Sequence, residues 1–101
     1  MNKLVRDGKV AVLVSPDYGA GWYSWHRIEE LLYDPSIVTW LESGELDKIE
    51  HYLTLKYPGE YFGGLDDLGI EWIPQGTLFK INEYDGAESI EYKDKQDWLI
   101  A

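Results

Sequence analysis

The run Lys9 to Ser15, KVAVLVS, constrains the fold more than any other stretch. A strand lying on a half-exposed sheet alternates apolar and polar residues. This one is almost continuously apolar and rich in valine, which predicts a strand covered on both faces. Pro16 ends it, because proline has no N–H for a ladder. Asp7-Gly8 supplies a turn signal just before it. The chain has 101 residues, which suits a single domain over 1–101 with one core and little stability to spare.

Helical signals follow. In SWHRIEELLY, Ser24 stands at a helix start as cap, and Trp25, Ile28 and Leu32 fall on one face. Asp34-Pro35 is a second start, with Asp as N-cap and Pro at the first helical position. Ile37, Val38 and Leu41 give that helix an apolar side, and Gly44 closes it. A third helix is expected from Glu45 to Lys56, burying Leu46, Ile49 and Leu53 and stopped by Tyr57-Pro58-Gly59.

After the loop GEYFGGLDDLG come three strand signals, Ile70 to Ile73, Thr77 to Glu83 and Ser89 to Tyr92. Pro74-Gln75-Gly76 and Tyr84-Asp85-Gly86-Ala87 mark the turns, Asp85-Gly86 being a hairpin signal. Trp98 to Ile100 is a short final strand candidate. The expected class is α+β: an N-terminal strand, two or three helices, then a C-terminal antiparallel β-meander, with the helices on one face of the sheet.

Charge narrows the range of partners. Nineteen acids face nine bases, a formal net charge of −10. Residues 1–28 carry four of the bases and two of the acids, a net of +2, so residues 29–101 carry −12. Such a field repels nucleic acid and anionic lipid and attracts basic surfaces. No apolar run is long enough to span a membrane. Cysteine is absent, which excludes disulfides and thiolate metal sites and fits a reducing cytoplasm.

Two stretches are candidate sites. In SPDYGAGWYSWH, Ser15 to His26, a Gly-x-Gly turn follows a strand and precedes a helix. Its backbone N–H groups could meet an anion, with Tyr and Trp faces to stack on a base. The ligand-binding set read from it is Tyr18, Gly19, Gly21, Trp22, Tyr23 and Arg27. The third glycine of a dinucleotide fingerprint is missing, and no Gly-Lys-Ser/Thr closes a phosphate loop. The competing reading makes the stretch a structural corner, in which the glycines turn the chain and Trp22 and Trp25 anchor the helix to the sheet, with Trp25 buried and Tyr18 and Tyr23 exposed. The second set lies in the acidic part: Tyr61, Asp66, Asp67, Tyr84, Asp85, Glu88 and Glu91, as contacts for a protein partner.

Other constellations carry less. His26 and Glu30 have metal-capable spacing but lack further ligands, so no metal is assigned. Asp66-Asp67 with Glu60 and Glu71 could pair carboxylates, yet no serine has a histidine in a known motif context. Asn82 to Gly86 resembles half a calcium loop, but a hairpin turn explains it. No catalytic residue and no cofactor is assigned.

The pieces VLVSPDYGAGWYSW, LLYDPSIV and KYPGEYFGGLDDLGIEWIPQGTLFKINEYDGAESIE together resemble a family of small bacteriophage and prophage accessory proteins. The resemblance implies a host-cytoplasmic context and action by binding a host factor, with counter-defence a common purpose. Two functions follow as expectations. One is an acidic, non-enzymatic inhibitor that docks on the basic surface of a host defence or nucleic-acid-handling protein. The other is a binder that sequesters a nucleotide-like small molecule through the Gly-x-Gly loop. Direct nucleic-acid and membrane binding are not expected, and homo-oligomerisation is left open.

Overall fold

The computed structural model describes residues 2–92. In chain order the elements are β1 (Val5–Arg6), β2 (Lys9–Val14), α1 (Tyr23–His26), α2 (Glu29–Tyr33), α3 (Pro35–Glu42), α4 (Leu46–Lys56), β3 (Gly69–Pro74), β4 (Phe79–Tyr84) and β5 (Ala87–Tyr92). This is an α+β protein with helices packed against a sheet, as the element order implied.

β2 is the centre of a three-stranded antiparallel sheet, order β1-β2-β3. Val10 lies opposite both Val5 of β1 and Ile73 of β3. Its two faces serve different cores. Ala11 and Leu13 pack with Trp22, Leu31, Ile37, Val38, Ile49, Leu53 and Leu68, mostly residues of the helices and loops. Val10, Val12 and Val14 pack with Leu32, Tyr33 and Ile73, flanked by Phe79, Ile81 and Ile90. The missing alternation in KVAVLV is thus explained by cover on both sides. Each fully buried side chain such as Leu13, Leu31, Ile37 or Ile49 stabilises the fold by about 1.5–3 kcal/mol.

The expected single meander is corrected. β3 leaves it and pairs along its length with β2, while β4 and β5 form a separate two-stranded hairpin. Had β4 extended the sheet beside β3, it could not also lie over Val10, Val12 and Val14. Folded across, the hairpin lays Phe79, Ile81 and Ile90 on that side instead. The Asp85-Gly86 turn is where the sequence put it, with φ of 50° and 85°, the left-handed pair a two-residue hairpin needs. Asp7-Gly8 repeats the device, with φ of 50° and 74°, and joins β2 to the short strand β1, which the sequence did not announce.

The helix expected from Ser24 is also corrected. It breaks at Arg27, whose φ of 58° is left-handed and whose N–H closes α1 on the Tyr23 carbonyl at 2.8 Å. The break takes Trp25 off the face it would have shared with Ile28 and Leu32. Trp25 is 54% exposed, and Trp22 is the tryptophan buried at this corner. Ser24 is not the cap; it lies inside α1, whose N-cap position is Trp22.

α3 and α4 follow their sequence signals. Asp34 Oδ1 accepts from the N–H groups of Ser36 and Ile37 at 2.9 and 3.3 Å, with Pro35 in the first turn. Its Oδ2 accepts from the Tyr52 hydroxyl at 2.6 Å, tying α4 to the cap. Ile49 and Leu53 are the buried side of α4. The strand candidate Trp98 to Ile100 lies outside the described residues.

Candidate functional site

The glycine-aromatic corner is built inward first. Ser15, at the end of β2, is fully buried, and its Oγ accepts from the Trp22 N–H at 2.9 Å, closing the loop on itself. Gly19, at φ 124°, donates its N–H to the Asp85 carbonyl at 2.8 Å. A Cβ on Gly21 would lie 2.3 Å from Ser24 Oγ and 2.8 Å from the Trp25 ring. A Cβ on Gly64 would lie 2.8–2.9 Å from Ser15 and the Trp22 nitrogen, and one on Gly63 2.5 Å from Ala20 Cβ. These glycines allow backbones to approach closely, and the loop is clamped between the 61–68 segment and the β4–β5 turn.

The anion expected at this corner is the chain's own. Glu88, on β5, is buried at 4% exposure. Its Oε1 accepts from the Ser15 N–H at 3.0 Å, and its Oε2 from the Ser24 N–H at 2.7 Å and the Ser24 hydroxyl at 2.6 Å. The Glu88 N–H in turn donates to the Ser15 carbonyl at 2.7 Å. The N–H groups of Ser15 and Ser24 do face a negative charge, but it arrives from β5. Two expectations are corrected together. Glu88 is a buried tie and offers nothing to a partner, and the Ser24 N–H at the start of α1 is already engaged.

The rest of the expected ligand set disperses. Trp22 is wholly buried, donates Nε1–H to the Leu31 carbonyl at 3.3 Å, and packs edge-on to His26 at 4.7 Å and tilted on Phe62 at 5.8 Å. Tyr23, expected to be exposed, is partly buried and touches both cores. Gly21 is buried. Arg27 is exposed at the break between α1 and α2. Of the aromatic side chains in the set, Tyr18 alone projects outward, 75% exposed.

His26 belongs to the interior. Its Nδ1 accepts from the Ile28 N–H at 2.8 Å, so Nε2 carries the hydrogen of the neutral ring. Nε2 is buried without a hydrogen-bond partner, among the rings of Trp22, Tyr23 and Phe62. Burial pushes its pKa down from 6.5 to about 4. Among the described residues, no group of three or more His, Asp or Glu side chains is placed to hold a metal ion.

Four of the residues that remain at the surface converge. A hollow of about 440 Å³ is lined by Asp17, Tyr18, Glu50, Tyr61, Asp66 and Asp67, with Ala20, Phe62, Gly63, Gly64 and Leu65 completing the lining. It brings together Tyr18, from the first set, and Tyr61, Asp66 and Asp67, from the second. Asp17 and Glu50 were not singled out from the sequence. Asp17 is adjacent to Tyr18, and Glu50 lies on α4 beside the buried Ile49, a solvent-facing position whose neighbours in space no local pattern reveals. Asp67 Oδ2 accepts from the Asp17 N–H at 2.9 Å and holds the two loops together.

Two further exposed rings extend this face. Tyr84 meets Tyr18 edge-on at 6.3 Å, and Trp25 lies 6.1 Å from Tyr61. Asp85, exposed, follows Tyr84 at the hairpin tip. Glu91 stands apart on β5, held by Lys80 at 3.0 Å and Asn82 at 3.3 Å, and these hydrogen bonds keep its carboxyl below the usual range.

None of the four carboxylates lining the hollow pairs with a base among the described residues. Among those residues, no helix is long and apolar enough to cross a membrane. No family model, curated protein or solved structure matches this chain.

Proposed function

We propose that this protein acts by binding, as a small phage-type accessory protein that docks on a basic surface of a host defence or nucleic-acid-handling protein and so inhibits it. The observation that carries this reading is the hollow that Asp17, Glu50, Asp66 and Asp67 line together with the exposed Tyr18 and Tyr61, with no base in the lining. Four carboxylates at one place attract the Lys and Arg groups that otherwise meet phosphates, and raise the rate of encounter with them. Tyrosine rings at the same place add apolar contact of the kind that dominates protein interfaces.

The nucleotide reading has less behind it. The hollow's carboxylates repel phosphate, and the Ser15 and Ser24 N–H groups are taken by Glu88. Catalysis is also less favoured. Ser15 and Ser24 spend their hydroxyls on internal hydrogen bonds, and His26 has its Nδ1 engaged and its Nε2 buried.

The test is capture of partners from host lysate at low and high salt by the native protein and by a Glu50→Lys/Asp66→Lys variant. Both positions are exposed, so the variant keeps its fold. A specific partner is expected with the native chain at low salt and is lost with the variant. Capture that is indifferent to both salt and charge reversal would sink the proposal.

A further inference from the structure

Four large aromatic side chains stand more than half exposed on one face. Tyr18 is 75% exposed, Tyr84 71%, Tyr61 68% and Trp25 54%. They are arranged as two contacting pairs, Tyr84 with Tyr18 and Trp25 with Tyr61, and the inner member of each pair lines the same hollow. Single exposed rings are ordinary, but a contiguous set on a small domain marks an interaction surface.

The charge around these rings selects the occupant. An apolar segment laid across them would strip water from Asp17, Glu50, Asp66 and Asp67 and return nothing, a costly exchange. An anionic segment would be repelled. A lysine ammonium is attracted, but it is compact and strongly hydrated, and it collects mainly the Coulomb term. A guanidinium collects more. It is flat and weakly hydrated, stacks on a ring, and forks two N–H groups onto a carboxylate. The floor of the hollow is already in place, because Gly63 and Gly64 are packed against Ala20, Ser15 and the Trp22 nitrogen. Little of the loop backbone therefore remains to be ordered when something binds.

We propose that this face is an arginine-selective docking surface. It takes an Arg-rich protein segment whose guanidinium groups seat against Tyr18 and Tyr61 and fork onto the carboxylates that line the same hollow. This rests on the binding reading above and names the chemistry the partner must present.

The experiment uses two labelled peptides of equal length and charge, one with arginines and one with lysines at the same positions, titrated by fluorescence anisotropy, with spermine as a small polycation. The Arg peptide is expected to bind at least about fivefold more tightly than the Lys peptide. A Tyr18→Ala/Tyr61→Ala variant is expected to lose that preference while keeping the weaker, salt-dependent binding common to both peptides. Both rings are exposed, so the variant unfolds at the native urea midpoint, which is checked first. Equal affinity of the native protein for the two peptides would overturn the proposal. So would a preference that survives in the tyrosine variant, or spermine binding as tight as the Arg peptide. Any of these with salt-sensitive partner capture intact removes arginine selectivity alone, whereas loss of that capture removes the underlying reading as well.

Discussion

Replacing Glu88 by glutamine tests whether the corner is held by its own internal anion. The native carboxylate accepts three hydrogen bonds, from the Ser15 N–H at 3.0 Å and from the Ser24 N–H and hydroxyl at 2.7 and 2.6 Å. A glutamine oxygen can serve one side only. Placed toward Ser24, it leaves the amide NH₂ facing the Ser15 N–H, donor against donor. That orphaned buried donor costs about 1–3 kcal/mol. The two remaining bonds lose their charge assistance, which roughly halves their strength and costs about 0.5–1 kcal/mol each. The expected loss is about 2–5 kcal/mol, a large share of the roughly 5–15 kcal/mol that stabilises a domain. Urea unfolding followed by tryptophan fluorescence and near-ultraviolet circular dichroism measures it. At a slope of about 1–2 kcal/mol per molar for a chain this size, the midpoint falls by about 1 M or more. Glu91→Gln is the control. It removes the same formal charge from the same strand, but at an exposed site where the described partners are Lys80 and Asn82, and it leaves the midpoint where it was. Equal midpoints for the two variants would refute the assignment of Glu88 as the buried tie.

Other expectations follow from the same geometry. Gly86 and Gly76 share almost the same φ, 85° and 86°, but a Cβ on Gly86 would lie 1.5 Å from the Gly19 carbonyl oxygen while one on Gly76 meets open space. Gly76→Ala should cost about 1–2 kcal/mol for the left-handed backbone alone, and Gly86→Ala more than about 3 kcal/mol because the hairpin can no longer dock, as compared by urea midpoints. Folded His26 holds its proton less tightly than unfolded His26, so its contribution is complete above pH 6.5 and is lost as pH falls from there through about 4. The whole shift corresponds to about 3 kcal/mol, and partial solvent access to the ring reduces that to about 1–2 kcal/mol. A His26→Gln variant should show a flatter dependence of unfolding free energy on pH over that window, and an unchanged slope would contradict it. Tyr52→Phe removes a hydrogen bond to the buried Asp34 carboxylate and should lower stability by about 1–3 kcal/mol in chemical denaturation, whereas no change would mean that Asp34 is satisfied without it.

The features legible in the chain before folding lie within short spans. The unbroken apolar run of β2 required cover on both faces, Asp34-Pro35 set the start of α3, Asp85-Gly86 closed a hairpin, and the spacing of Leu46, Ile49 and Leu53 oriented α4. In each case the residues that carry the signal are neighbours along the chain, and their backbone preferences or periodicity act locally. The tertiary structure decided the rest. β3 could join β4 or β2, and only the need to cover Val10, Val12 and Val14 on the far side of the sheet decides for β2. The helix break at Arg27 turns Trp25 out to solvent and leaves Trp22 as the buried anchor. Glu88 reads as one more acid in an acidic chain, and its burial depends on bonds to Ser24 and Ser15, 64 and 73 positions away. The hollow has the same origin, since Asp17 and Tyr18, Glu50, and Tyr61 with Asp66 and Asp67 come from three separate segments. Whether a charged or aromatic side chain faces water is decided by what the remote chain lays over it, and local preference carries no record of that.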